Sequence, residues 1–245
     1  MEYEFDLSGE KFIIENFMSE EKNPIVEGKI EGKIVGHREK VISNLDVNGL
    51  SGDYIAKIKN INGKLALIND EKLNFDFSGE IGNIEYNDYS VDGLLAVFRF
   101  KDDKFEVKSL KNSFIDISGI MDTEIEKMDF KGEVKNLPLK KFNVDSPVIL
   151  INDMSARFYG NLKNPHGDVN IKDISVEIND GQPIIISGNI DFTNNKFYTD
   201  NLKINNSIVK GEYLLKNNSY RARMNIIEED IGRYYGDTNL KYRVI

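Results

Sequence analysis

Val26-Glu27-Gly28-Lys29-Ile30-Glu31-Gly32-Lys33-Ile34-Val35-Gly36 alternates with a period of two. Val26, Gly28, Ile30, Gly32, Ile34 and Gly36 fall on one side, and Glu27, Lys29, Glu31, Lys33 and Val35 on the other. Successive side chains of a β-strand point to opposite faces, so the stretch reads as a strand with an apolar or bare face backed by a mostly charged one. The same phase returns in Leu73, Phe75, Phe77, Gly79 and Ile81, then in Leu94, Ala96, Phe98 and Phe100, and in Met128, Phe130, Gly132 and Val134. It returns again in Ile184, Ile186, Gly188, Ile190 and Phe192, in Val209, Gly211, Tyr213 and Leu215, and in Tyr220, Ala222, Met224 and Ile226. No comparable window keeps the helical period of about 3.6 residues. One helical turn is expected near Leu139-Lys140-Lys141-Phe142, after Pro138.

Between the alternating runs stand clusters that supply turns: Asn69-Asp70, Lys101-Asp102-Asp103-Lys104, Asn164-Pro165-His166-Gly167, Asn179-Asp180-Gly181, Asn194-Asn195 and Asn217-Asn218. Asn, Asp and Gly tolerate positive φ, and Pro presets a turn. Strands recurring every ~10–12 residues predict roughly 16–20 of them, and at ~4.8 Å per strand a single sheet would extend for about 80 Å. The expected architecture is all-β: one long, curled, mostly antiparallel sheet of repeated hairpins, a groove with an apolar interior.

Internal repeats support hairpins that add one to the next. The word apolar-x-apolar-Ser-Gly occurs at Phe5–Gly9, Phe75–Gly79, Ile115–Gly119 and Ile184–Gly188. Phe100–Gly119 also aligns without a gap on Phe192–Gly211, matching Phe100 to Phe192, Lys104 to Lys196, Phe105 to Phe197, Leu110 to Leu202 and Gly119 to Gly211. Glycine weakens a strand unless a backbone approaches closely or the sheet must bend. Here it sits repeatedly on the apolar face, at Gly28, Gly32, Gly79, Gly119, Gly132, Gly188 and Gly211, which predicts a sheet that curls toward that face. A two-layer sandwich, with glycine relieving its packing, is the reading left open beside it.

Composition narrows the function. The net charge of −9 and the lack of any run of five basic residues argue against nucleic acid as a partner. The chain has no cysteine, which excludes disulfides and thiolate metal sites. No stretch approaches the roughly 20 apolar residues of a membrane helix. Met1-Glu2-Tyr3-Glu4-Phe5-Asp6 does not read as a signal peptide, and Lys241-Tyr242-Arg243-Val244-Ile245 stops inside an alternating pattern. Residues 1–245 are accordingly expected to be a single elongated β-repeat segment of a longer protein, cut at both ends, with a weak division near 136–147. Exposed edge strands at such cuts would favour end-to-end self-association.

Catalytic chemistry is not legible. His37 and His166 are isolated, where a zinc site wants clustered ligands. Gly-x-Ser-x-Gly, His-Glu-x-x-His and Gly-x-x-x-x-Gly-Lys-Ser/Thr do not occur. Asp102-Asp103 reads as a turn and Glu228-Glu229 as surface charge. No enzyme, cofactor or metal site is expected.

Gly28-Lys29-Ile30-Glu31-Gly32-Lys33-Ile34 and the apolar-x-apolar-Ser-Gly words resemble the β-repeats of the TamB and AsmA-like bacterial envelope proteins. Met154-Ser155-Ala156-Arg157-Phe158-Tyr159-Gly160-Asn161-Leu162-Lys163-Asn164-Pro165-His166-Gly167-Asp168-Val169 is similar to that family's Gly-x-Leu-x-Asn-Pro-x-x-Gly-x-apolar stretch, and Val134–Phe142 to another of its segments. The resemblance is loose but covers most of the chain. It implies a periplasmic segment of an inner-membrane-anchored protein. The groove would pass phospholipid acyl chains between inner and outer membranes and support outer-membrane protein assembly. Any contact with an outer-membrane barrel protein would be made through regions outside this segment.

On that reading the groove is lined by Ile30, Ile34, Leu65, Leu67, Phe75, Phe77, Phe98, Phe100, Ile115, Ile117, Phe130, Ile186, Ile190, Tyr213 and Met224. Two other functions use the same pattern: a structural or adhesive β-solenoid of a secreted surface protein, and a chaperone-like scaffold that holds nascent β-strands.

Overall fold

The computed structural model describes residues 2–13, 25–37, 40–53, 56–70, 72–86, 89–139, 148–177, 182–215 and 219–225. Fifteen strands account for nearly all of them: β1 (Glu2–Ile13), β2 (Ile25–His37), β3 (Lys40–Asp53), β4 (Lys57–Asp70), β5 (Lys72–Tyr86), β6 (Tyr89–Lys101), β7 (Lys104–Lys111), β8 (Ile115–Asp122), β9 (Lys127–Pro138), β10 (Val148–Asn161), β11 (Asn164–Glu177), β12 (Ile184–Thr193), β13 (Lys196–Ile204), β14 (Ser207–Leu214) and β15 (Ser219–Asn225). They join in chain order into one 15-stranded sheet whose ends are β1 and β15. Neighbours pair antiparallel wherever β1 to β7 and β9 to β15 meet. The described residues therefore form an open sheet built of successive hairpins, as the period of two predicts, and they include no second layer that would make a sandwich. By its internal contacts the chain divides into two compact units, Met1–Asn112 with Ser118–Glu124, and Ser113–Ile117 with Ile125–Ile245.

The turn chemistry is largely where the sequence puts it. Asp102 and Asp103 have φ of 52° and 60°. Two left-handed residues in a two-residue loop match the twist of the flanking strands. Asn194 (45°) serves the β12–β13 turn, and Asn205 (53°) the β13–β14 turn, which the sequence reading missed. Asn164-Pro165-His166-Gly167 is a correction. The loop is Leu162-Lys163, and β11 already begins at Asn164. Pro165 stands at the margin of the β11–β12 ladder, one residue past the His166–Thr193 pair, where its carbonyl accepts from the Asn194 N–H. The expected turns at 179–181 and 217–218, and residues 140–142 of the expected helical turn, lie outside the described residues, as do 140–147 of the expected division. The gapless echo also has a structural meaning: it maps β6–β7–β8 onto β12–β13–β14, with Phe100 paired to Phe105 and Phe192 to Phe197.

The strands are not straight. In the first unit the register slips at Gly9/Lys11 in β1, Glu27/Lys29 in β2 and Val47/Leu50 in β3. The line continues through Asn60 of β4 (φ 57°), Gly82 of β5 and Gly93 of β6 (φ 62°), which share one register position. A corresponding line in the second unit runs through Asn136 of β9 (φ 50°), Ile151/Asp153 in β10, Ile171/Ile174 in β11, Gly188 of β12 (φ 126°) and Thr199/Leu202 in β13. Bulges and left-handed residues bend a strand and raise its twist. Aligned across neighbouring strands they form a crease that separates a longer arm from a shorter one; in β5 the arms are residues 72–81 and 83–86.

In the first unit the arms fold onto one another. Phe77, Ile81, Leu94 and Ala96 of the long arm form a buried cluster, and Ile58, Ile84 and Val91 of the short arm pack against it. Ala96 is 1% exposed and Leu94 3%. With no second layer among the described elements, this burial comes from the sheet closing on its own apolar face. Glycine permits the closure. Gly63 and Gly79 pair across β4 and β5, and a methyl group on Gly79 would stand 2.7 Å from the Gly63 Cα and closer still to the Asn62 carbonyl oxygen. The backbone of the neighbouring strand occupies the place a side chain would take. Gly79→Ala is expected to lower stability by more than about 2 kcal/mol. Gly93→Asn, at a left-handed position with nothing within 4 Å, is expected to cost under ~1 kcal/mol. Urea unfolding of both variants measures the contrast.

Candidate functional site

Register turns the alternating runs into rows that cross the strands. In the first unit Ile34, Ser43, Leu67, Phe75, Phe100 and Phe105 are successive partners across β2 to β7. Beside them run Gly32, Leu45, Leu65, Phe77, Phe98 and Val107, and then Ile30, Val47, Gly63, Gly79, Ala96 and Leu110. At the crease the row is Leu50, Ile61, Ile81 and Leu94. Eight of the sequence-predicted lining residues, Ile30, Ile34, Leu65, Leu67, Phe75, Phe77, Phe98 and Phe100, are thus brought onto one face. Phe77 is buried and the other seven are half-buried. Phe75 stacks on Phe100 at 5.7 Å between ring centres, Phe77 on Phe98 at 5.9 Å, and Phe98 meets Phe105 at 5.7 Å.

The second unit repeats the scheme. Phe130, Phe158, Gly167, Phe192, Phe197 and Tyr213 form one row across β9 to β14. At the crease the row is Leu137, Ile151, Ile174, Ile186, Ile204 and Ser207. Phe158 and Phe192 meet over the bare Cα of Gly167 at 6.2 Å, and Phe192 lies 4.8 Å from Phe197. Predicted Phe130, Ile186 and Tyr213 fall in these rows. Ile190 pairs with Val169, which itself pairs with Ala156 between them. Ile117 stands on β8, with its Cγ1 3.5 Å from where a Cβ on Gly132 would be, and Ile115 precedes it on the same strand, half-buried. Met224 pairs in register with Val209, and its side chain lies outside the described residues.

Sequence reasoning missed much of the floor. Leu45, Val47, Ile81, Leu94, Ala96 and Val107 in the first unit, and Leu137, Ile151 and Ile171 in the second, are the buried apolar residues left out of the lining. A usable signal was present. Where a strand crosses the crease its phase slips by one, so the flanking apolar residues stand three apart around two polar or glycine residues. Val47 and Leu50, Ile58 and Ile61, Ile81 and Ile84, and Val91 and Leu94 show it. Val134 and Leu137, Ile151 and Met154, and Ile171 and Ile174 show it again. Ile81 and Ile84 pack in one cluster despite their odd spacing.

The opposite face is polar, with ion pairs between strands. Arg99 Nε lies 2.8 Å from Asp76, Lys59 2.7 Å from Glu85, Lys172 2.9 Å from Asp153, and Arg157 2.7 Å from Asp129 while also lying over the Tyr159 ring. Hydrogen bonding from Arg157 holds the Asp129 carboxyl below its ordinary range, and Lys196 does the same to Glu212. A depressed carboxylate contributes stability that is present above its ordinary range and lost as pH falls through the lowered one; these pairs are exposed and water screens the contribution. An apolar strip of Val35, Ile42 and Ile68 interrupts this face. A depression of about 530 Å³ is lined by Asn44, Leu45, Asp46, Lys64, Leu65, Ala66, Asp76, Phe77, Ser78 and Val97, residues of both faces. Another of about 350 Å³ lies among Lys196, Tyr198, Thr199, Asp200, Lys210, Glu212 and Arg221.

Among the described residues no three His, Asp or Glu side chains are grouped to hold a metal ion. His166 stacks on Tyr159 at 6.0 Å. No helix among them is long and apolar enough to cross a membrane. The chain matches no protein-family model, no curated protein and no solved structure. What remains as a candidate site is the creased apolar face of each unit, and its chemistry is the removal of hydrocarbon from water at about 25 cal/mol per Å². Ile81→Ala, at the base of the first trough, is expected to cost about 2–5 kcal/mol. Leu73→Ala, on the same strand but 48% exposed, should cost a small fraction of that in the same urea titration.

Proposed function

We propose that this chain is a stretch of a non-enzymatic hydrocarbon-carrying trough of the TamB and AsmA-like kind, which shelters phospholipid acyl chains on their way between the two membranes of a bacterial envelope. The observation that supports it is the direction of the crease. It runs across the strands, so each added hairpin extends an apolar trough rather than closing a pocket. A chain lying on the half-buried rows beside the crease, such as that of Ile34, Leu67, Phe75 and Phe100, meets apolar side chains from strand to strand and no deep trap, which permits sliding. At about 0.8 kcal/mol per CH₂, a chain of roughly 16 carbons costs ~12 kcal/mol to expose to water, and an apolar wall removes most of that barrier. The charged outer face keeps such an element in water. In this reading the segment works in the periplasm as part of a longer anchored protein, and contact with an outer-membrane barrel belongs to regions outside it.

The terminal strands of the described sheet, β1 and β15, favour one other reading, the addition of a client strand to an edge. Native mass spectrometry of the chain after incubation with phosphatidylethanolamine vesicles separates the two. Bound phospholipid supports the trough, and bound peptide with no lipid favours the edge. Phe75→Asp combined with Phe100→Asp places two carboxylates on stacked, half-buried partners near the ends of their strands. This variant is expected to lose most of the bound lipid while keeping its far-ultraviolet circular dichroism. Retention of lipid at the unsubstituted level by a folded variant overturns the proposal.

A further inference from the structure

Charge is not spread evenly along the chain. The whole carries −9, yet residues 196–225, which span β13 to β15, hold six of its Lys and Arg and only two of its Asp and Glu. In about 0.15 M salt the field of an exposed charge fades over ~8 Å, so a local surplus acts largely apart from a distant deficit. Register gathers this surplus on the face opposite the trough. Tyr198, Glu212 and Arg221 are successive partners across β13, β14 and β15, and Lys210 shares the side of β14 that Glu212 occupies. Lys196, Lys210 and Arg221 line the depression of about 350 Å³ beside Tyr198, with Lys196 Nζ 5.5 Å from the centre of that ring. Two carboxylates share the depression: Asp200, and Glu212, which lies 2.5 Å from Lys196. In the first unit Asp76 faces Arg99 across β5 and β6, whereas β14 and β15 set Lys210 in register with Arg223. Like charges directly opposite one another cost stability, and an anion lying across them offsets that cost. Leu215 follows β14 directly and is 44% exposed, which adds an aliphatic side chain at the margin of the basic face.

We propose that the outer face of β13–β15 docks on the surface of a bilayer that contains anionic phospholipid, with lipid phosphates at Lys196, Lys210 and Arg221. Cations, an aromatic ring and an exposed aliphatic side chain match the layers of such a surface. Basic residues meet the phosphates, rings sit at the level of the headgroups, and apolar side chains enter the boundary of the acyl region. Nucleic acid is the other polyanion that a basic face attracts, and it fits less well. A base needs a free ring to stack on, and Tyr198 is half-buried with Lys196 already over it. The inference does not depend on the trough, because it concerns the opposite face.

Sedimentation with vesicles tests it. The chain should pellet with vesicles of equal parts phosphatidylglycerol and phosphatidylcholine in about 0.1 M salt, and be released as the salt rises toward ~0.5 M. Vesicles of phosphatidylcholine alone should leave it in solution. A cation near an anionic surface contributes about fivefold to partitioning, so Lys210→Gln combined with Arg221→Gln should weaken binding roughly 25-fold. Both side chains are exposed, and the variant should keep its circular dichroism. Lys101→Gln combined with Lys111→Gln, at exposed positions of the first unit, removes the same charge and should change binding by less than about twofold. Phe75→Asp combined with Phe100→Asp should still pellet with the mixed vesicles while losing sheltered lipid, so that failure of one proposal is distinct from failure of the other. Absence of binding to the mixed vesicles, equal binding to phosphatidylcholine alone, or equal losses in the two glutamine variants overturns the docking face. Capture of a DNA duplex without capture of vesicles overturns it in favour of nucleic acid.

Discussion

A β-strand cannot change the face it buries without breaking its own period, and the buried cluster of the first unit follows from where that break is made. Period two fixes each residue to one side. A single bulge or left-handed residue shifts the phase, bends the chain and re-aims the apolar side chains beyond it toward those before it. When neighbouring strands break at the same register position, the bends add up and the sheet folds along a line. In the first unit this brings Ile58, Ile84 and Val91 onto Phe77, Ile81, Leu94 and Ala96. A sheet with no partner layer among its described elements thereby acquires a core.

The glycines and the crease solve different parts of one steric problem. Gly93 supplies the φ of 62° that the bend needs, with open space around it. Gly63 and Gly79 lie away from the bend, and there the two backbones come together where side chains would otherwise stand. A side chain at either kind of site would disturb a different thing: torsion at the crease, strand approach in the arm. Gly132 belongs to neither class, because a Cβ there would make ordinary contact with Ile117 at 3.5 Å. Its presence on the apolar face is not explained by closure.

Much of the fold was legible in the sequence because alternation is a local signal. Val26–Gly36 states its strand, its faces and its glycines without reference to any other residue, and Asp102-Asp103 states its turn. Register was also partly legible, since the echo of Phe100–Gly119 in Phe192–Gly211 preserves the paired phenylalanines on both sides of a turn. The crease is not legible in the same way, because a phase slip weakens the very alternation that marks a strand. Ile81-Gly82-Asn83-Ile84 looks like the end of one pattern rather than the middle of a strand that continues to Tyr86. A lining read from alternation therefore lies mainly on the long arms and, Ile186 apart, omits the residues at the fold line. The Asn-Pro-x-Gly turn failed for a complementary reason. Local turn propensity at Asn164–Gly167 yields to pairing with β10, and Pro165 falls at the margin of the β11–β12 ladder, where a proline is tolerated.

Strand order equals chain order throughout the sheet, and this has a kinetic consequence. Each strand seeks only the one made just before it, so the loops that must close are short and the contact order is low for an all-β architecture. A polypeptide delivered one end first, from a ribosome or through a translocation pore, can dock each new hairpin onto an existing edge without waiting for distant sequence. Growth by docking also leaves one fresh edge exposed at every stage, which makes the rate of delivery, relative to the microseconds a hairpin needs to form, the quantity that guards the nascent chain against pairing with its neighbours.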